Sequence, residues 1–91
     1  MMDFSKLSDI EIQQIREDPN NQDWFILSHK RILSEDFIRE FQDKVFWNVI
    51  SHYQKLSEHF IIEYQDKINS NCLSGNDNIS DEIKEFCKIF L

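Results

Sequence analysis

The chain has no alanine, one glycine and one proline in 91 residues. Alanine is the best helix former, so any helix here must come from patterning and capping. Codons for these three residues are rich in G and C, while Ile, Asn, Lys and Phe abound, which reads as AT-rich coding. No apolar run approaches the roughly 18 residues of a membrane span. The opening Met1-Met2-Asp3-Phe4-Ser5-Lys6 lacks the basic start and apolar stretch of a signal peptide, so a cytoplasmic protein is expected. Only two cysteines occur, Cys72 and Cys87, and not as C-x-x-C, which signals neither a zinc knuckle nor a redox pair. Two buried free thiols are expected, with a disulfide as the alternative.

Positive charge is also scarce, with ten Lys and Arg against 17 Asp and Glu, a net −7. Residues 1–23 carry −4, residues 24–46 balance, residues 47–69 carry −1 and residues 70–91 carry −2. No basic stripe exists to release counterions, so no nucleic-acid partner is expected. Lysines and arginines also interrupt the acids, which argues against a DNA mimic. The bland reading is a solvated, mildly acidic surface.

What the chain does have is a repeat. Trp24-Phe-Ile-Leu-Ser28 returns as Trp47-Asn-Val-Ile-Ser51, and Glu40-Phe-Gln-Asp-Lys44 as Glu63-Tyr-Gln-Asp-Lys67. Leu33-Ser34-Glu35 and Phe37-Ile38 return likewise, always 23 residues on, and 12 of 23 positions are identical. A worn third copy keeps Leu73, Ser74, Ser80 and Ile83 in register but has no Trp and is broken by Gly75-Asn76-Asp77-Asn78. Ahead of the first copy, Leu7-Ser8 matches Leu33-Ser34 and Ile15 falls at the place of Phe41, with Asp18-Pro19-Asn20-Asn21 inserted. The chain therefore reads as one domain: cap 1–23, repeats 24–46 and 47–69, degenerate cap 70–91. Atypical end units suit a stack whose ends face water.

Periodicity predicts two short helices per repeat in an all-α, α-solenoid-like array, over residues 8–17, 22–31, 34–45, 46–54, 57–68, 70–73 and 79–90. Ser8-x-x-Glu11 is a capping box, and Asp23, Ser34, Ser57 and Asn69 are natural N-caps. Trp24, Leu27, Ser28 and Arg31 share one face. Phe37, Ile38, Phe41 and Val45 form a buried stripe, matched by Phe60, Ile61, Tyr64 and Ile68. Glu40–Lys44 and Glu63–Lys67 are i,i+4 pairs expected on the outer flank.

The strings Ile50-Ser51-His52-Tyr53-Gln54-Lys55-Leu56-Ser57-Glu58 and Ser34-Glu35-Asp36-Phe37-Ile38-Arg39-Glu40-Phe41-Gln42-Asp43-Lys44-Val45 resemble a known repeat. Its form is W-x-x-I-S-x-Y-Q-K-L-S-E-x-F-I-x-E-F-Q-D-K-V, encoded in many tandem copies by giant DNA viruses, with relatives in phages and bacteria. The likeness covers residues 24–69 and departs at Phe46, where a polar cap is usual, and in the third copy. It implies helical repeats and a viral setting, hence host cytoplasm, and brings no catalytic residue.

Nothing in the chain signals an active site. His29 and His52 share a repeat position, which suits a structural or surface role, and His59 stands alone. No metal-ligand spacing and no phosphate loop appears, so no metal and no cofactor is expected. Ser8, Ser34, Ser57 and Ser80 are explained by capping, Ser28 and Ser51 as small residues on a packing face. An enzyme needs unlike groups converging on one pocket, whereas this chain duplicates its groups. The expected function is a non-enzymatic protein-binding module, extended by the resemblance to a viral protein that antagonises a host factor. A structural, self-associating repeat is the alternative.

Two surfaces stand out for a protein partner. Phe25, His29 and Ile32 lie opposite the Trp face, where the next copy has the polar Asn48, His52 and Lys55. Either this stripe is a contact surface, or the N-terminal segment covers it through Ile10, Ile12 or Ile15. Ile62 replaces Arg39 on an outer face beside Glu58, His59 and Asp66, and Phe46 and Tyr53 are more apolar than their counterparts Asp23 and Lys30. Ile62, His59, Phe46 and Tyr53 are thus further candidates.

Overall fold

The computed structural model describes residues 6–90. The opening stretch Met1–Ser5, read for a signal peptide, lies outside them. The described residues form seven α-helices: α1 (Asp9–Glu17), α2 (Trp24–Lys30), α3 (Glu35–Glu40), α4 (Trp47–Tyr53), α5 (Glu58–Glu63), α6 (Ser70–Ser74) and α7 (Asp81–Phe90). A 3₁₀ turn, Pro19–Asn21, follows α1, and among the described residues the only β pairing is an isolated parallel bridge between Lys6 and Ile32. Helices of five to ten residues are marginal alone, so packing and caps must hold them.

The helix starts fall where the capping residues stand. Ser8 and Glu11 form the reciprocal capping box, while Asp23, Ser34, Ser57 and Asn69 each accept from the backbone N–H three residues on. Phe46 offers α4 no side-chain cap. The helix ends depart from expectation, because α3 and α5 stop at Glu40 and Glu63, five residues short of the expected 45 and 68. Beyond them the chain takes a separate turn, in which Lys44 N and Val45 N both donate to Phe41 O and Lys67 N and Ile68 N to Tyr64 O. In the first copy the reason is visible. The Arg39 carbonyl accepts from Gln42 Nε2, and the Gln42 carbonyl accepts from the Trp47 indole at 2.9 Å, so neither is spent on helix. The turns still deliver Val45 and Ile68 to the core.

That core runs the length of the chain, from Leu7 and Ile15 to Ile79 and Cys87, and includes every residue of both expected stripes. Trp24 is buried against Phe37 and Phe41, and Trp47, half-buried, takes the same place against Phe60 and Tyr64. Leu33, Leu56 and Ile79 are all buried at one repeat position. In the third copy Lys84, half-buried, stands where Ile38 and Ile61 are fully buried, and Cys87 where Phe41 and Tyr64 are. Both cysteines are free; Cys87 is buried, whereas Cys72 is only half-buried, contrary to expectation.

Two rows of helices result. The first helices pack side by side, α2 on α4 and α4 on α6. The other row is joined by ion pairs 24 residues apart, Arg16–Glu40 at 2.7 Å and Arg39–Glu63 at 2.9 Å. These replace the expected Glu40–Lys44 and Glu63–Lys67 pairs. The helices end at the glutamates, which removes the i,i+4 geometry, and Lys44 instead donates to Asn20.

Candidate interaction surface

Between the packed first helices sits a set of polar contacts that repeats with the sequence. Ser28 and Ser51, both fully buried, accept from the backbone N–H of Phe46 and Asn69, the first residue outside the next helix. They are bridges between repeats and not merely small packing residues. Gln54, buried, donates to the carbonyls of Ser28 and Arg31 at 2.8 Å each and accepts from Leu33 N. Asn76 likewise donates to the carbonyls of Ser51 and Gln54. Each amide thus satisfies the open C-terminal carbonyls of the helix before it. Asn76 lies in the loop between α6 and α7. The 23-residue register aligns Asn76 with the exposed Tyr53 and not with Gln54, so the repeat carried no signal for it.

At the corresponding end of α2, Arg31 faces α1. Its guanidinium donates to both Glu11 oxygens, at 2.7 and 3.0 Å, and holds that carboxyl down at about 2. Glu40 and Glu63 are lowered in the same way by Arg16 and Arg39. Burial pushes the Cys87 thiol and the Tyr64 hydroxyl up.

The opposite side of the first-helix row is open and aromatic. Phe25 meets Phe46 edge-on with ring centroids 5.8 Å apart and also meets His29. His29 lies 4.3 Å from Tyr53, and Tyr53 4.4 Å from His52. The His52 ring ends on Gly75, where a Cβ would stand 3.0 Å from its Cε1, so a larger residue there would have to push the ring aside by a few tenths of an ångström. Two shallow clefts flank this strip. One, of about 550 Å³, is lined by Trp24, Phe25, Phe46 and Lys44 among others; the second, of about 480 Å³, by His29, Ile32, Tyr53 and Lys55.

The structure therefore brings together Phe25, His29, Ile32, Phe46 and Tyr53, which the sequence had suggested as two separate surfaces. Ile62 and His59 belong to the other row, on α5, and both are exposed. Covering of the strip by the N-terminal helix is not observed: Phe25 and Ile32 are 50% and 51% exposed, and Ile10 is 72% exposed. The reason is that α1 docks on the Arg31 side through Glu11, with Ile15 turned into the core.

The repeat supplies an internal comparison for the strip. Phe25 and Phe46 correspond to Asn48 and Asn69, and those two side chains are joined by an amide hydrogen bond of 3.2 Å. A ring pair in one copy is an amide pair in the next. The ion-pair ladder changes similarly, since one step beyond Arg39–Glu63 the register reaches Ile62 and Phe86. Phe86 is half-buried and packed against the core.

Among the described residues no group of three or more His, Cys, Asp or Glu is placed to hold a metal ion, and no helix is long and apolar enough to cross a membrane. Scans against protein-family models, curated proteins and solved structures each return no match.

Proposed function

We propose that this chain is a non-enzymatic protein-binding module, an α-solenoid-like array whose aromatic strip contacts a protein partner. One observation carries the reading. The pair of positions holding Phe25 and Phe46 is filled equally well by Asn48 and Asn69 in the same fold, so the exposed rings are not there for the scaffold. Large apolar side chains grouped on a surface, without a packing reason, mark contact sites. The resemblance to viral repeats extends this to a viral protein that acts on a host factor.

The alternative, a self-associating repeat, would extend the stack at its C-terminal end. There Lys84 stands at a core position and shares a cleft with Lys88, so a second copy would bury lysine. The test exchanges one copy's pair for the other's. Phe25→Asn with Phe46→Asn should keep the helical circular dichroism spectrum, while proteins retained by the wild-type chain in pull-downs from its native setting are lost. Retention of the same proteins by the variant would remove the strip from consideration.

A further inference from the structure

We propose that the strip's occupant is an acidic segment of a partner protein, with two apolar side chains that seat in the two clefts. The inference rests on the strip being the binding surface and adds the chemistry of what binds.

The charge of the chain is unevenly placed in space. Residues 22–33 and 46–56, which carry the strip, hold one acid, Asp23, against Lys30, Arg31 and Lys55. They amount to +2 in a chain of net −7, which leaves −9 on all the rest. The arginines are committed internally, since Arg16, Arg31 and Arg39 are each held by a glutamate. Lys30 and Lys55 enter no ion pair among the described residues. Lys30 adjoins His29, and Lys55 lines the same cleft as Ile32 and Tyr53, where Asp77 is the one acid. In the other cleft Lys44 rises beside Phe25 and Phe46, opposite an Asp23 already capping Ile26 N. Lys6, Lys67 and Lys84 also enter no ion pair among the described residues, but Lys44 and Lys55 stand beside the exposed rings in the two clefts.

This arrangement favours one class of occupant. A second copy meeting strip to strip would set Lys30 and Lys55 against their own equivalents, within two molecules that already repel at −7 each. A nucleic acid would find too few cations and the field of −9 behind them. An acidic segment gains attraction from the strip, and its apolar anchors gain area in the clefts.

A displayed library of random 16-residue peptides, selected on the full chain at physiological salt, tests this directly. Enriched peptides should carry an excess of Asp and Glu with two aromatic or aliphatic residues. A synthetic peptide from that pool should bind at least tenfold more weakly to the Phe25→Asn, Phe46→Asn variant. It should weaken as much with Lys30→Glu, Lys55→Glu, or with Lys30→Gln, Lys55→Gln if the first pair fails to give a helical spectrum. Neutral or basic peptides, or indifference to the lysines, would overturn the acidic class while leaving the strip as a binding surface. Indifference to the phenylalanine exchange would overturn both readings. No enrichment, or a dimer in sedimentation that the phenylalanine exchange abolishes, would also overturn the acidic occupant.

Discussion

The two full repeats, 24–46 and 47–69, share 12 of 23 residues and the same two-helix path, yet they differ at the residues that meet their neighbours. Among the shared residues, the Trp, Ser28/Ser51, Leu33/Leu56 and Phe37-Ile38/Phe60-Ile61 build the inside of each unit. The differences answer to what lies next door. Arg31 reaches out to an acidic helix, α1, while its counterpart Gln54 reaches back to bare carbonyls of α2. Phe25 and Phe46 face solvent as rings, and Asn48 and Asn69 close on each other. Divergence between copies is therefore a map of context, and a difference without a contextual reason points to something outside the chain.

Several measurements would break or sharpen that comparison. The largest effect is expected at the tryptophans. Trp24→Ala should cost roughly 3–5 kcal/mol, most of the stability of a domain this small. Trp47→Ala should cost less, because Trp47 is only half-buried. Thermal denaturation gives the order, and a reversed order would mean the copies are not packed alike. Next comes the pair Gln54 and Arg31. Gln54→Ala strands the carbonyls of Ser28 and Arg31 and the Leu33 N–H, at about 1–3 kcal/mol for each group left unpaired. Arg31→Ala loses an ion pair to a solvent-screened glutamate and should cost less than Gln54→Ala. Equal losses in urea titrations would deny the two positions their different roles.

Acid separates the same two junctions. The Glu11 carboxyl is held below its ordinary 4.5, at about 2, so its contribution is fully present above 4.5 and fades as pH falls through 2. Glu40 and Glu63 shift in the same direction. The Gln54 contacts carry no titrating group. Hydrogen exchange across that range should show α1 loosening before the α2–α4 junction, and Glu11→Gln should flatten the response of α1. Simultaneous loosening in wild type and variant would count against the ion pair. The smallest effect is expected at Ile62, which is 40% exposed. Ile62→Arg restores the residue of the first copy and should move stability by no more than about 0.5 kcal/mol. A large drop in melting temperature would show that Ile62 and Phe86 have become an apolar rung that the fold requires.

Much of this fold could be read in advance because its signals are local. Every helix start from α1 to α6 except that of α4 carries its own capping side chain, and period-matched large residues marked the core. The ends of α3 and α5 carried no such mark. No glycine or proline stops them, and the carbonyls that would have continued α3 are taken by Gln42 and by the indole of the following repeat. The clamps of Gln54 and Asn76 escaped notice for a related reason, since their partners are backbone groups of another helix and have no letter in the sequence. The strip was half legible. Its residues could be named from their mismatch with the next copy, but that α1 would dock on the Arg31 side depended on an ion pair 20 residues long in sequence.

The amide clamps give the molecule a direction. Each closes the helix before it, so α2 depends on Gln54 and α4 on Asn76, while α6 ends on its own bonds from Gly75 N to Cys72 O and Asn76 N to Leu73 O. Damage at the C-terminal unit therefore travels upstream, uncovering the end of α4, whereas damage to α1 leaves both clamps in place. A chain made on the ribosome from its N-terminus would hold α2 and α4 unfinished until the following unit had emerged.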